Sequence, residues 1–160
     1  MIDWTSFTRK VRIKAPSKVV FDAWADCEQM VEWFLKVCTI KDSQETLVSA
    51  GDVVVWEWHN YPNRMEVLIK ECSPSKHMVF TFGSEMEVLI RVDSDKDYTV
   101  LTLKQYNIPT DDTSKMNFYV GCSRAWSTWM LNLKSYLENK QTLHDTELGV
   151  REDLFDYINT

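Results

Sequence analysis

The sequence predicts an α+β fold, in which a curved antiparallel sheet of six to seven strands wraps around one long C-terminal helix. Three patterns predict it: two short helical stretches after the first strand, a series of short β-rich runs separated by turn residues, and a long amphipathic stretch. Such a sheet buries its apolar face by packing against the helix. We expect a single domain over residues 1–160, with a core at 7–139 and a tail at 140–160.

The first strand and the two short helices are predicted near the N-terminus. Apolar and polar residues alternate from Phe7 to Lys14, as in a half-exposed strand. The residues Ala15–Ser17 end this strand, and Ser17 is predicted to cap a short helix. A second short helix is predicted to begin at Asp26 or Cys27.

Six further strands are predicted from runs rich in Val, Ile, Trp, Phe and Thr, each bounded by Gly, Pro, Asn, Asp or Ser. Their regular spacing favours an antiparallel meander joined by hairpins. The predicted strands are Lys36–Asp42, Asp52–His59, Met65–Cys72, His77–Phe82, Met86–Asp93 and Tyr98–Tyr106.

A long helix is predicted from the capping residues Thr110–Thr113 to about Asn139. At 100° per residue, an apolar stripe forms along this helix. The stripe consists of Phe118, Cys122, Ala125, Trp129, Leu133 and Tyr136, with Trp126 and Leu137 beside it. In the tail, apolar residues recur at helical spacing from Val150 to Ile158 and predict a short terminal helix.

Composition limits the classes of partner. The net charge of −6 and the pI near 5.1 argue against nucleic acid, which selects for clustered Lys and Arg. No apolar run approaches the roughly 20 residues that cross a bilayer, so we expect no membrane span. The four cysteines lack zinc-ligand spacing and are expected to be reduced thiols in a cytoplasmic protein. No metal ion and no cofactor are expected.

Three segments carry a resemblance to a known family. The run IKAPSKVVFDAWADCEQMVEWF, residues 13–34, resembles the opening of START-like (SRPBCC) proteins. The runs TLKQYNIP, residues 102–109, and YVGCSRAWSTWMLNLKSYLEN, residues 119–139, are similar to the C-terminal domain of the heat shock protein 90 ATPase activator homologues. The resemblance covers roughly Phe7 to Asn139.

The resemblance implies a helix-grip fold whose sheet and helix enclose an elongated apolar cavity. Members of the superfamily bind lipids, hormones or aromatic metabolites, some cyclise polyketides, and the eukaryotic activators stimulate a chaperone ATPase. Those activators carry a separate N-terminal domain for the main chaperone contact, and 160 residues leave no room for it. We therefore expect a non-catalytic protein that binds a small hydrophobic or aromatic molecule. The alternatives are a co-chaperone-like protein whose partner is a chaperone and an enzyme of the polyketide cyclase or aromatase type.

Strand and helix parity predicts which side chains face the space between sheet and helix. Because ligand pockets are mostly apolar, these side chains as a set are candidates for ligand contact, although for any single one of them close packing in the core is the favoured alternative. The predicted ligand-binding residues are Trp33, Trp56, Trp58, Met65, Phe80, Phe82, Met86, Gln105, Phe118, Trp126, Trp129 and Met130. The amide of Gln105 is expected to orient a ligand or to bond a neighbouring backbone group. Arg9 is expected at the pocket mouth or in solvent.

No catalytic group is predicted. His59, His77 and His144 lack the spacing of metal ligands, and Glu57 is expected to face solvent without a partner for acid–base chemistry. Cys122 falls on the apolar stripe and away from the helix N-terminus, where a thiolate is stabilised, so it is expected to be a core residue.

Overall fold

Seven strands form one antiparallel sheet in the computed structural model, which describes residues 1–160. The strands are β1 (Phe7–Ile13), β2 (Val37–Ile40), β3 (Val53–Glu57), β4 (Arg64–Ser73), β5 (His77–Phe82), β6 (Met86–Asp95) and β7 (Tyr98–Tyr106). Their order across the sheet is β1-β7-β6-β5-β4-β3-β2, so that consecutive strands from β2 to β7 are neighbours and β1 pairs with β7. The predicted α+β helix-grip fold is confirmed.

The strand boundaries follow the local backbone conformation. β5 and β7 have the predicted bounds, and β6 extends to Asp95. β2 is shorter than predicted because Asp42 has a φ of 57°, a left-handed conformation that ends an extended run. One face of the sheet is buried, as the alternation predicts, and in β6 this face carries Val88, Ile90 and Val92.

Two short helices follow β1, as predicted. They are α1 (Ser17–Ala25) and α2 (Cys27–Trp33). The predicted N-cap of α1 is wrong, because Pro16 holds that position with a φ of −61° and Ser17 is already helical. Asp26 caps α2 by accepting a hydrogen bond from the backbone N–H of Glu28 at 3.0 Å.

The C-terminal helix is a continuous run of three parts: α3 (Asp112–Ser114), a π-helical segment (Lys115–Gly121) and α4 (Cys122–Asn139). Asp111 caps it by accepting from the backbone N–H of Ser114 at 3.0 Å. The helix ends where Lys140 takes a left-handed φ of 57°. None of the helices combines the length and the apolar character needed to cross a lipid bilayer.

The π-helical segment shifts the buried face of the helix from the predicted stripe. Ala125 is exposed, whereas Trp126, Met130 and Leu133 are buried, with Trp129 at the border. A π turn closes hydrogen bonds between residues five apart and so holds more residues than an α turn. A stripe projected at a constant angle from Phe118 therefore drifts away from the side that packs on the sheet.

The free edge of β1 is covered by side chains of α4. The backbone carbonyl of Arg12 accepts from Lys134 Nζ at 2.6 Å, and the backbone N–H of Lys14 donates to Glu138 Oε1 at 2.7 Å. An edge strand otherwise offers unpaired backbone groups to other chains. These contacts fix β1 against the helix.

The tail, residues 140–160, lacks the predicted terminal helix. It contains a single 3-10 turn, Leu154–Asp156, in which only Leu154 is buried. Two buried asparagines hold the tail in place. Asn60 donates to the carbonyl of Asp145 at 2.6 Å and accepts from the N–H of Gly149 at 2.9 Å. Asn132 accepts from the backbone of the tail at 2.5 Å.

Candidate functional site

Nine aromatic side chains meet between the sheet and the C-terminal helix and form what we term the aromatic cluster. Neighbouring ring centroids lie 4.9 to 6.2 Å apart. The cluster consists of Trp24, Trp33, Phe34, Trp56, Trp58, Phe80, Phe82, Trp126 and Trp129. It joins α1, α2, β3, β5 and α4, and it contains six of the seven tryptophans of the chain.

Phe34 lies at the centre of the aromatic cluster. Its ring contacts six others, with the shortest centroid separation of 4.9 Å to Trp129. It follows α2 directly, and its backbone N–H still bonds to the carbonyl of Met30. Phe34 and Trp24 were not among the predicted ligand-binding residues, although both are apolar residues of the two predicted short helices.

One end of the aromatic cluster is partly open to solvent. Four half-buried side chains lie there: Trp58 just after β3, Met65 at the start of β4, Phe82 at the end of β5 and Phe118 in the π-helical segment. We call this set the outer end. The tail lies against the residues that follow Trp58: the ring of His144 is 5.8 Å from that of His59 and 5.4 Å from that of Trp129, and Asn60 donates to the carbonyl of Asp145.

The enclosed cavity predicted between sheet and helix is instead filled by ring-to-ring contacts. A cleft of about 520 Å³ lies on the other side of α4, and none of the twelve predicted ligand-binding residues borders it. A second void, about 10 Å³, touches only Trp129 of that set. The physical reason is the volume of the indole and phenyl groups, which occupy the space that smaller side chains would leave open.

Gln105 is the polar member of this region and is fully buried. Its Oε1 accepts a hydrogen bond from the indole of Trp126 at 2.8 Å. Its Nε2 donates to the sulfur of Met86 at 3.2 Å, and the amide also contacts the thiol of Cys122, whose pKa it lowers. The partners are thus side chains and not the backbone group that the sequence suggested as one alternative. Because a thioether is a weak acceptor, the donor capacity of this amide is poorly used.

A second buried donor belongs to Trp24, whose ring neighbours that of Trp126. The indole Nε1 of Trp24 has no hydrogen-bond partner, whereas that of Trp33 donates to the carbonyl of Ala23 at 2.9 Å. The ring centroids of Trp24 and Trp126 are 5.9 Å apart. Buried polar groups normally find a partner, so two poorly satisfied donors around one ring require an explanation.

The structure places all twelve predicted ligand-binding residues at the sheet–helix interface. The four residues of the outer end are half-buried. The eight buried residues are Trp33, Trp56, Phe80, Met86, Gln105, Trp126, Trp129 and Met130. Arg9 lies elsewhere, exposed beside the outer side of α4, where it donates to Ser123 Oγ.

Two histidines that are distant in sequence come together near Trp129. The rings of His59 and His144 have centroids 5.8 Å apart, a proximity that their spacing gave no means of detecting. Burial lowers the pKa of His144, and the neighbouring His59 lowers it further. Burial, assisted by the charge of Lys36, also lowers the pKa of His59. Both rings are therefore held in the neutral form near neutral pH.

Two of the four thiols, Cys27 and Cys38, are buried in the core, whereas Cys72 and Cys122 are half-buried at its border, so the expectation of a core position for Cys122 holds only in part. The sulfur atoms of Cys27 and Cys38 are 2.8 Å apart and buried. Hydrogen bonding from Cys38 lowers the pKa of Cys27, and the same contact raises the pKa of Cys38. Burial raises the pKa of Cys122, so this thiol stays protonated at neutral pH. Nowhere in the chain do three or more His, Cys, Asp or Glu side chains form a cluster suited to a metal ion.

Solved structures share this architecture. A protein from Staphylococcus saprophyticus is 20% identical, with a TM-score of 0.73 over 87% of this chain and 96% of its own. Aha1 from Colwellia psychrerythraea, solved as a dimer in solution, is 15% identical, with a TM-score of 0.71 over 88% of this chain and 99% of its own. CalU16 from Micromonospora echinospora is 18% identical, with a TM-score of 0.65 over 86% of this chain and 76% of its own. At these identities the likeness concerns the fold.

Comparison of the sequence with family models identifies the family. No curated protein sequence matches the chain. The family model described as activator of Hsp90 ATPase homolog 1-like protein matches residues 14–138, which include every helix and strand that contributes to the aromatic cluster. The chain therefore belongs to the activator of Hsp90 ATPase homolog 1-like family, within the START-like superfamily.

Proposed function

We propose that this protein binds, without catalysis, a small hydrophobic or aromatic molecule that carries a hydrogen-bond acceptor. The observation that carries the proposal is the pair of buried donors beside Trp126: Gln105 Nε2, whose partners are weakly accepting sulfur atoms, and Trp24 Nε1, which has no hydrogen-bond partner. An acceptor oxygen on a ligand among these rings would satisfy a donor that the protein leaves poorly paired.

The outer end is the proposed entrance. Here the ligand would displace the flexible side chain of Met86 and tilt the ring of Phe82, because the interior holds no ready space. Methionine adapts its shape at little cost, and the turn between these two residues contains Gly83 at a φ of 75°. The adjacent π-helical segment supports this location, because π-helical turns occur frequently at functional sites.

Apolar burial would supply most of the affinity. A ligand that removes about 200 Å² of apolar surface from water gains roughly 5 kcal/mol before the cost of displacing side chains. The hydrogen bond adds about 1 kcal/mol and contributes mainly to selectivity, since a ligand without an acceptor keeps the buried amide unpaired.

The proposal is tested with a pair of matched probes. Acetylnaphthalene carries a carbonyl acceptor, and ethylnaphthalene has nearly the same shape without one. Because six of the seven tryptophans belong to the aromatic cluster, bound probe is expected to change the intrinsic fluorescence. We expect saturable binding of both probes, with the ketone bound more tightly. Absence of saturable binding by either probe would contradict the proposal.

The variant Gln105→Met tests the polar contact, because methionine keeps a similar length and removes the amide, which also deprives the indole N–H of Trp126 of its acceptor. We expect it to weaken binding of acetylnaphthalene by about tenfold and to leave ethylnaphthalene unchanged or improved. The control is Gln44→Met, at an exposed glutamine outside the strands. Equal loss for both probes would show that the variant perturbs packing alone and would remove Gln105 from the site.

The natural ligand is sought by native mass spectrometry of the protein purified from its own host. A small molecule retained in the gas phase and released on unfolding would support the proposal and give its mass. The same sample treated with an organic extraction provides the ligand-free control.

Family membership favours a second candidate, a co-chaperone-like protein that contacts a chaperone. This candidate predicts a change in the ATPase rate of purified Hsp90 when the protein is added. An unchanged rate over a broad range of protein concentration would count against it. The variant Gln105→Met separates the two candidates, since its substitution lies inside the fold and leaves the surface intact.

A further inference from the structure

The cleft of about 520 Å³ lies on the outer side of α4, away from the aromatic cluster. Its walls come from four parts of the chain. β1 supplies Arg9, the π-helical segment supplies Tyr119 and Val120, the outer face of α4 supplies residues between Ser123 and Leu131, and the tail supplies Ile158. No residue of the aromatic cluster lines it.

The cleft concentrates positive charge in an acidic protein. Arg9 and Arg124 both line it, and no Asp or Glu does, although the chain has a net charge of −6. Nine other basic side chains, one of them a histidine, each form an ion pair with a carboxylate, and these two arginines do not. Their charges are therefore uncompensated where they face the cleft.

Neutral acceptors hold both guanidinium groups in position. Arg9 Nη2 donates to Ser123 Oγ and its Nη1 donates to the carbonyl of Thr8 at 2.9 Å. Arg124 Nη2 donates to the carbonyl of Phe155 at 2.8 Å. A guanidinium has five N–H donors, so each keeps donors for a ligand, and the hydroxyl of Ser123 keeps its own proton. This arrangement suits an anion.

The rest of the cleft is apolar. Val120 and Leu131 on the helix and Ile158 on the tail line it, and all three side chains are exposed. From Arg124 to Leu131 the helix rises by about 10 Å, the length of a chain of roughly eight methylene groups. The cleft thus presents cations at one point and an apolar path leading away from them.

We propose that this cleft binds an amphipathic carboxylate of medium chain length, with its head group at Arg9, Arg124 and Ser123 and its chain along Leu131 and Ile158. The site is separate from the aromatic cluster and does not depend on the function proposed for it. Both components are needed, because an exposed charge pair or an exposed apolar strip contributes little on its own.

The test uses decanoate, with decanol as the probe that lacks the charge and acetate as the probe that lacks the chain. Binding is followed by amide chemical shifts in the full chain, below the concentration at which decanoate forms micelles. We expect saturable shifts at Ser123, Arg124 and Leu131, and affinities for decanol and acetate that are weaker by about tenfold or more.

The variants Arg9→Gln and Arg124→Gln are each expected to weaken decanoate binding by about tenfold, the loss of one charge-assisted hydrogen bond. Arg64→Gln is the matched control, since Arg64 is also exposed, lacks an ion pair and lies on β4. Arg124 is the more secure site for substitution, because it is exposed on a helix that glutamine also favours. Thermal melting verifies that each variant is folded.

Three results would overturn the proposal. The first is that decanoate does not bind. The second is that it binds Arg9→Gln and Arg124→Gln as tightly as it binds the parent protein. The third is that decanoate shifts the indole N–H signals of the aromatic cluster instead of the amide signals of Ser123, Arg124 and Leu131. The last result would assign decanoate to the site inside the fold, where Gln105→Met and not Arg124→Gln alters its affinity.

Discussion

Replacing Asn132 by alanine removes a buried side chain on which three parts of the fold converge. In α4, Asn132 Nδ2 donates to the carbonyl of Trp33 at the end of α2 and to Nδ1 of His144 at 3.2 Å. Its Oδ1 accepts from the backbone N–H of Leu143 at 2.5 Å. The substitution Asn132→Ala deletes all of these bonds and leaves a buried carbonyl without its partner.

The expected loss of stability follows from the number of bonds. Each of the three contributes about 1 kcal/mol net, so the free energy of unfolding falls by about 3 kcal/mol. The free energy of unfolding of a domain is typically about 5 to 15 kcal/mol, so this loss is a substantial part of it. With a urea slope of about 2 kcal/mol per molar, the midpoint of unfolding should fall by about 1.5 M.

The assay is urea unfolding followed by far-ultraviolet circular dichroism, with the slope compared between variants. The control is Asn117→Ala, an exposed asparagine of the same C-terminal helix. We expect a lower midpoint and an unchanged slope for Asn132→Ala, with little change for the control. If the two variants unfold at the same urea concentration, the bonds of Asn132 do not stabilise the fold and the reasoning fails.

Three further predictions concern the tail, the histidine pair and the turn before β6. Asn60→Ala breaks both of its bonds to the tail, so trypsin should cleave after Arg151 sooner while the core stays folded; an unchanged cleavage rate contradicts this. Burial lowers the pKa of His144 from its usual value of 6.5, so between the two pKa values the unfolded chain binds a proton that the folded chain does not. The contribution of neutral His144 to the free energy of unfolding is therefore fully present above about pH 6.5 and is lost as the pH falls below it. His144→Gln should reduce the slope of the stability profile between about pH 5 and 7 and leave the part that His59 contributes, and an unchanged slope would contradict the prediction. Gly83→Ala places a Cβ 3.0 Å from Met86 Cε at a φ of 75°, so we expect about 1 kcal/mol less stability by urea unfolding, and an equal midpoint argues that the turn relaxes freely.

Local patterns predicted the elements well where the backbone is regular. β5 and β7 have the bounds that alternation predicts, and the C-terminal helix ends at Asn139 as expected. The patterns failed where the backbone departs from a regular repeat. The π-helical segment rotated the buried face away from Ala125, and the tail formed one 3-10 turn instead of a helix. Helical spacing of apolar residues alone does not stabilise so short a segment.

Strand and helix parity predicted which side chains lie at the sheet–helix interface, but not how they pack against one another there. All twelve predicted side chains lie at the sheet–helix interface, and parity placed Gln105 there correctly. Parity did not identify Phe34 as the centre of the cluster, because its position depends on the irregular backbone that follows α2. It offered a close-packed core as an alternative to a cavity but could not decide between the two, because the outcome depends on how rings from distant parts of the chain fit together.

The sequence by itself determined the fold class, the order of the elements and the apolar face of most strands, because each of these depends on the periodicity of neighbouring residues. Only the tertiary structure decided that the rings close on one another, that two arginines share a cleft with no carboxylate, and that His59 meets His144. Those outcomes depend on side chains distant in the chain approaching within a few ångströms, a result of packing the whole molecule that no local repeat encodes.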